Sequence, residues 1–162
     1  MTEMDNIISK SKIETLIAFS IDICKRLIDD YVDFYIKNNW GNPEILNEAI
    51  KYCEETEFAK IDREKIKDLI HKVEKITPDT EDFENIEVSY ALNSACAILA
   101  LLEFITGQDK IHVSNISSFL IDTIDFKIQE IESGLTNEEL ENHPKIIEEK
   151  KRQITFLEIN AE

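Results

Sequence analysis

The stretch YALNSACAILALLEFI, residues 90–105, decides the fold. It is apolar nearly all the way round a 3.6-residue period, so it reads as a helix with no face meant for water. Such a helix lies among other helices. Ala91, Ala95, Ala97 and Ala100 are interleaved with its large side chains, and small residues let neighbours approach closely. The segment from about residue 82 to 106 is therefore the predicted centre of an all-α bundle, closed by Gly107. Its most apolar part, Ala95 to Ile105, is interrupted by Glu103 and is too short to span a bilayer.

The flanking segments have one apolar face each, as covers for such a centre should. Residues 11–39 carry Ile13, Leu16, Ile17, Cys24, Leu27, Ile28, Tyr31 and Tyr35 at helical spacing, with Asp29 and Asp30 marking a kink or a break. Gly41, Asn42 and Pro43 close that helix, cap the next and start it. The next helix buries Ile45, Leu46, Ala49, Ile50 and Cys53. Asp62 caps a third, with the stripe Ile66, Leu69, Ile70, Val73 and Ile76. After the centre, residues 113–133 bury Ile116, Leu120, Ile124, Ile128 and Ile131. Thr136 and Glu139 have capping-box spacing, and Pro144 restarts the chain as a last helix carrying Ile147, Ile154 and Leu157. The expectation is a single domain over residues 1–162, a bundle of about six to seven helices.

Composition agrees and adds a bias in charge. The 162 residues are 43% hydrophobic, enough for a core, and contain only 3 Gly and 3 Pro, too few for the turns of a sheet-rich fold. Asp and Glu number 34 against 18 Lys and Arg, a formal net charge of −16. Phosphate backbones and anionic lipid surfaces repel such a chain, while a cationic partner attracts it, less so as salt rises. Neither nucleic acid nor membrane is an expected partner. Cys24, Cys53 and Cys96 are odd in number and lie in apolar helical stretches, like buried reduced thiols. The N-terminus lacks the basic-then-apolar order of a signal peptide, so the expected location is the cytoplasm.

The usual carriers of chemistry are scarce. His71, His112 and His143 are the three histidines, and nothing in the sequence brings them to one point with a nucleophile. There is no Glu-x-x-His, no Cys-x-x-Cys and no glycine-rich phosphate loop. Asp122 and Asp125 fall one turn apart, a spacing that chance supplies among so many acids. Lys150, Lys151 and Arg152 follow Glu148 and Glu149, the pattern of a solvated helix face with compensating charges. No catalytic, metal or cofactor role is assigned to any residue.

Three acidic clusters remain as candidate partner-binding residues: Asp29, Asp30 and Asp33; Glu54, Glu55 and Glu57; and Asp79, Glu81, Asp82, Glu84 and Glu87. Carboxylates can pair with Arg and Lys of a partner, although those ahead of the central helix also suit its dipole. Charge reversal at Glu84 or Glu87 is expected to weaken binding more than reversal at Glu148 or Glu149.

Several stretches resemble a known family. They run from Phe19 through Cys24-Lys25-Arg26, Tyr31 and Phe34 to Trp40-Gly41, then Asp82-Phe83 and Ala91, Ala95, Cys96 and Ala97. Thr136-Asn137-Glu138-Glu139-Leu140 with Pro144 is similar as well. Together they resemble the YjaG-like family of small bacterial helical proteins, a domain of unknown function. The resemblance implies an all-α fold with a central apolar helix and carries over no catalytic residue. Asp30 stands where the family tends to have proline, and Ser94 where it tends to have an acid.

Three functions follow as expectations. The first is a non-catalytic immunity protein (antitoxin) whose acidic surface masks the active or substrate-binding face of a basic toxin, such as a nuclease. The second is a housekeeping adaptor or regulator of the YjaG-like family. The third is a hydrolase using paired carboxylates and a metal. Homo-oligomerisation stays open.

Overall fold

The structure, a computed structural model, describes residues 2–161. Among them are eight α-helices and no strand: α1 (Glu3–Lys10), α2 (Ile13–Asn38), α3 (Pro43–Glu55), α4 (Arg63–Lys75), α5 (Glu87–Gly107), α6 (Ile111–Ile131), α7 (Asn137–Glu141) and α8 (Pro144–Ile159). Helix α5 is the centre, as its composition requires. Ala91, Ala95, Ala97, Ile98, Leu101, Leu102 and Phe104 have no exposed surface. Helices α2 and α6 lie along it, and α3 and α4 complete the cover. By length and composition alone α5 could cross a membrane, with a mean hydropathy of 1.7, but here its apolar surface is spent on packing.

Helices α2 and α5 run antiparallel. Lys37 meets Glu87 at one end, and Ile17 and Ile21 share an apolar pocket with Ile105 at the other. The sequence signals for caps hold. Asn42 accepts from Glu44 N–H at 3.1 Å, Asp62 from Glu64 N–H at 2.9 Å, and Thr136 and Glu139 form a capping box.

One helix is added and four readings change. The N-terminal segment is helical, and a capping box of Thr2 and Asp5 starts α1. Lys110 Nζ donates to the Ser9 and Ser11 carbonyls at its other end, at 2.9 and 3.0 Å. Helix α2 runs unbroken past Asp29 and Asp30, because Leu27, Tyr31 and Phe34 are all fully buried around them. The central helix begins at Glu87 rather than near Asp82. Asp79 caps a single 3-10 turn, Thr80–Asp82, after which extended backbone carries Phe83 to Phe34 and Trp40, at ring-centroid distances of 4.9 and 5.5 Å. Ile131 is 76% exposed, and Ile147 faces water at 50% while Ile146 is buried.

That last shift of register buries Glu149, at 5% exposed, so the charged run of α8 is not wholly a solvated face. Arg26 of α2 donates to both oxygens of Glu149, one of them at 3.1 Å. Gln153 Nε2 donates to the same carboxylate at 3.0 Å, and Ser117 of α6 donates to Gln153 Oε1. The chain of bonds ties α2, α6 and α8 together. Every member is satisfied, which is the condition for burying such groups.

Candidate partner-binding cleft

Where α2 ends, α5 begins and α6 finishes, the three helices frame a cleft of about 540 Å³. Its lining is Asp30, Asp33 and Lys37 from α2, Glu87 and Tyr90 from α5, and Lys127, Glu130 and Ile131 from α6. Each helix contributes residues three or four apart, and such residues share one helical face. The antiparallel course of α2 and α5 turns those faces toward one another.

The interior is crossed by three hydrogen bonds and one cation–π contact. Lys37 Nζ donates to Glu87 Oε1 at 2.9 Å, and Lys127 Nζ donates to Asp30 Oδ1 at 2.7 Å. The Lys127 ammonium also stands 5.3 Å from the Tyr90 ring centroid, a cation–π distance. Tyr90 Oη donates to Glu130 Oε2. Burial first, and then the Glu130 carboxylate, push the Tyr90 phenol well above its ordinary range, so it stays a hydrogen-bond donor. The bond from Lys37 holds the Glu87 carboxyl below its ordinary value. Four carboxylates thus face two ammonium groups, leaving two negative charges in excess. Glu87 Oε2 is shielded from water and has no hydrogen-bond partner. Chemically, the cleft can receive a cation.

The structure joins part of the first and third acidic clusters. Asp30, Asp33 and Glu87 share the cleft, while Asp29, exposed, does not line it. Asp79 is used as a cap, accepting from Glu81 N–H at 2.9 Å, and Glu81, Asp82 and Glu84 are exposed outside the cleft. The dipole of α5 accounts for Glu87 alone, since the other four precede its first turn. The second cluster sits elsewhere. Glu54 pairs with Lys25, Glu57 with Lys60 at 3.4 Å, and Glu55 is exposed. Sequence reasoning missed Lys37, Tyr90, Lys127, Glu130 and the open position of Ile131. The i, i+3 spacing of Glu87 with Tyr90, and of Lys127 with Glu130, was the available signal.

Other reactive groups are dispersed. His112 faces Glu103 at 3.5 Å, His143 faces Glu132 at 2.8 Å and caps α8, and His71 is exposed. Cys24, Cys53 and Cys96 are free thiols, and burial pushes Cys53 up to about 12. Among the described residues no three His, Cys, Asp or Glu side chains are grouped so as to hold a metal ion.

Fold and site define a class: an all-α bundle wrapped on one apolar helix, with an acidic cleft where three helices meet. Over residues 7–162 the chain matches the family described as Protein of unknown function (DUF416), and it belongs to that family. The crystal structure of a DUF416 family protein from Shewanella baltica OS155 has the same fold, with a TM-score of 0.82 and 25% identity over 98% of this chain and 84% of that one. No curated protein matches the chain. At the level of a helical domain of unknown function, this agrees with the resemblance drawn from the sequence.

Proposed function

We propose that the protein acts by binding rather than by catalysis, and that its partner is a basic protein whose Arg or Lys side chains enter the cleft. The observation that carries this reading is the convergence of Asp30, Asp33, Glu87 and Glu130 from three helices, with only Lys37 and Lys127 to offset them. Held on helices, these acids are preorganised, and a net charge of −16 attracts a cationic surface over a distance. A toxin that acts on nucleic acid needs a basic face to hold phosphates. Masking that face would make this protein an immunity protein, working in the cytoplasm of the producing cell.

The test is capture from the native host with tagged protein, at low and at moderate salt, followed by mass spectrometry. One basic polypeptide should be recovered in stoichiometric amount, and Asp33→Lys should abolish its capture while Glu55→Lys does not. Equal loss with both variants, or a shifting set of proteins released by salt, would show bulk charge at work.

A second reading, an adaptor or regulator general to the family, is favoured by the breadth of the likeness to the Shewanella baltica protein, which spans nearly the whole chain. A scaffold kept between two sequences only 25% identical suits a role not tied to one toxin. Gene neighbourhood separates the two, since an immunity protein is expected beside a large secreted protein with a variable C-terminal end.

A further inference from the structure

Two isoleucines are largely exposed to water: Ile131, in the cleft lining, at 76% and Ile36, about one turn from Asp33 on α2, at 72%. Ile131 continues the stripe of α6 that packs Ile124 and buries Ile128 beneath it, so it has the spacing of a core residue. Instead it lines the open cleft. Ile36 lies three residues after Asp33 and next to Lys37 on α2. Phe126, four residues before Glu130, and Ile86, four before Tyr90, are also exposed. Helices α2 and α6, and the cap residue Ile86 just ahead of α5, therefore show water large apolar side chains within about one turn of a lining residue.

The platform beneath is stiff. Phe34, Trp40 and Phe83 stack edge-on, and Asn85 Nδ2 donates to Asn38 Oδ1 at 2.8 Å, fastening the end of α2 to the chain that enters α5. Such a surface loses little freedom when something covers it. Charge selects the occupant. A second copy would bring another −16 onto an anionic cleft, whereas a basic segment meets complementary charge.

We propose that the cleft and its apolar surroundings form one docking surface for a short amphipathic, basic helical segment of the partner. One Arg or Lys of the segment sits among Asp33, Glu87 and Glu130, and apolar side chains one turn away cover Ile131 and Ile36. This is helix-in-groove recognition with a charged anchor. The inference rests on the cleft being the partner site and specifies what the partner must present.

The experiment uses a fluorescein-labelled helical peptide with Leu and Arg on one face and Ala and Gln elsewhere, titrated by anisotropy at physiological salt. Matched peptides replace Arg by Gln or Leu by Ser. Wild-type protein should bind the Leu/Arg peptide and neither control. Ile131→Asp and Ile36→Asp should each weaken binding about tenfold. Ile159→Asp, an equally exposed site on α8, should leave it unchanged. An added aspartate can only increase attraction for a cation, so a loss reports apolar contact. Unaltered melting temperatures confirm that the variants are folded. Full affinity in both isoleucine variants with loss in Asp33→Lys overturns the apolar half and leaves the acidic cleft standing. No wild-type binding overturns the inference, and the capture experiment then decides the cleft on its own. Self-association abolished by Ile131→Asp would make a second copy the occupant and overturn it as well.

Discussion

Replacing Glu149 by alanine should be among the most destabilising single changes in a charged residue of this protein. The carboxylate is 5% exposed and accepts from Arg26 through both oxygens and from Gln153 at 3.0 Å. Its removal leaves Arg26, 23% exposed, with only Asp22 at 3.8 Å, and strands the Gln153 amide in the interior. Removing one partner of a buried ion pair costs about 3–5 kcal/mol, and partial exposure of Arg26 argues for about 3. The stranded amide adds about 1 kcal/mol. In a domain of this size each kcal/mol lowers the melting temperature by about 2–4 °C, so a loss of roughly 8–16 °C is expected. Urea unfolding followed by far-ultraviolet circular dichroism gives the free energy, and a thermal scan gives the temperature. Glu148→Ala, one residue away and exposed, should stay within about 0.5 kcal/mol of wild type. The double variant Arg26→Met with Glu149→Leu should recover most of the loss, since an apolar pair of similar volume replaces both charges. If Glu149→Ala costs no more than Glu148→Ala, the pair is solvated and α8 is held by its apolar residues alone. The same geometry makes Glu149 unfit as a surface control in charge-reversal binding experiments, whereas Glu148 remains suitable.

Other outcomes follow from the same structure. Glu87→Gln should destabilise at neutral pH, and because the folded carboxyl lies below its ordinary value, the difference from wild type should shrink as pH falls below about 4.5. A difference that grows on acidification would contradict the Lys37 link. Gly41→Ala should cost about 2 kcal/mol or more, because φ is +101° there and an added Cβ would run into the Tyr31 hydroxyl; urea unfolding measures it. Tyr31 donates to the Ile76 carbonyl and accepts from Asn42 N–H, so Tyr31→Phe should lower stability by about 1–3 kcal/mol by the same assay. Cys24 and Cys53 should resist a disulfide reagent at neutral pH until denaturant is added, since burial pushes both thiols up; immediate reaction of Cys53 would place it in water.

The helices and their order were legible because their signals are local. Residues 90–105 are apolar nearly all round and so read as a central helix, and Asn42, Asp62 and Thr136 announce starts within four residues of themselves. Helix α1 escaped notice because an eight-residue helix is marginal in isolation and is held by tertiary packing: it lies against α6 and α8 and buries Ile8. The register of α8 escaped for a different reason. Ile146 and Ile147 differ by one step around the helix and either satisfies the apolar pattern, so the pairing of Arg26 with Glu149 decides between them.

By itself, then, the sequence determined an all-α bundle on one apolar helix, an acidic surface, and Asp30, Asp33 and Glu87 among several equivalent acids. Only the tertiary structure selected those three and added Glu130, Lys127 and Tyr90, which lie up to a hundred residues from Asp30. The physical reason is that helical period places residues on a face, whereas the meeting of faces depends on how α2, α5 and α6 pack. No local pattern encodes that, and the exposure of Ile131 and Ile36 is decided by the same packing.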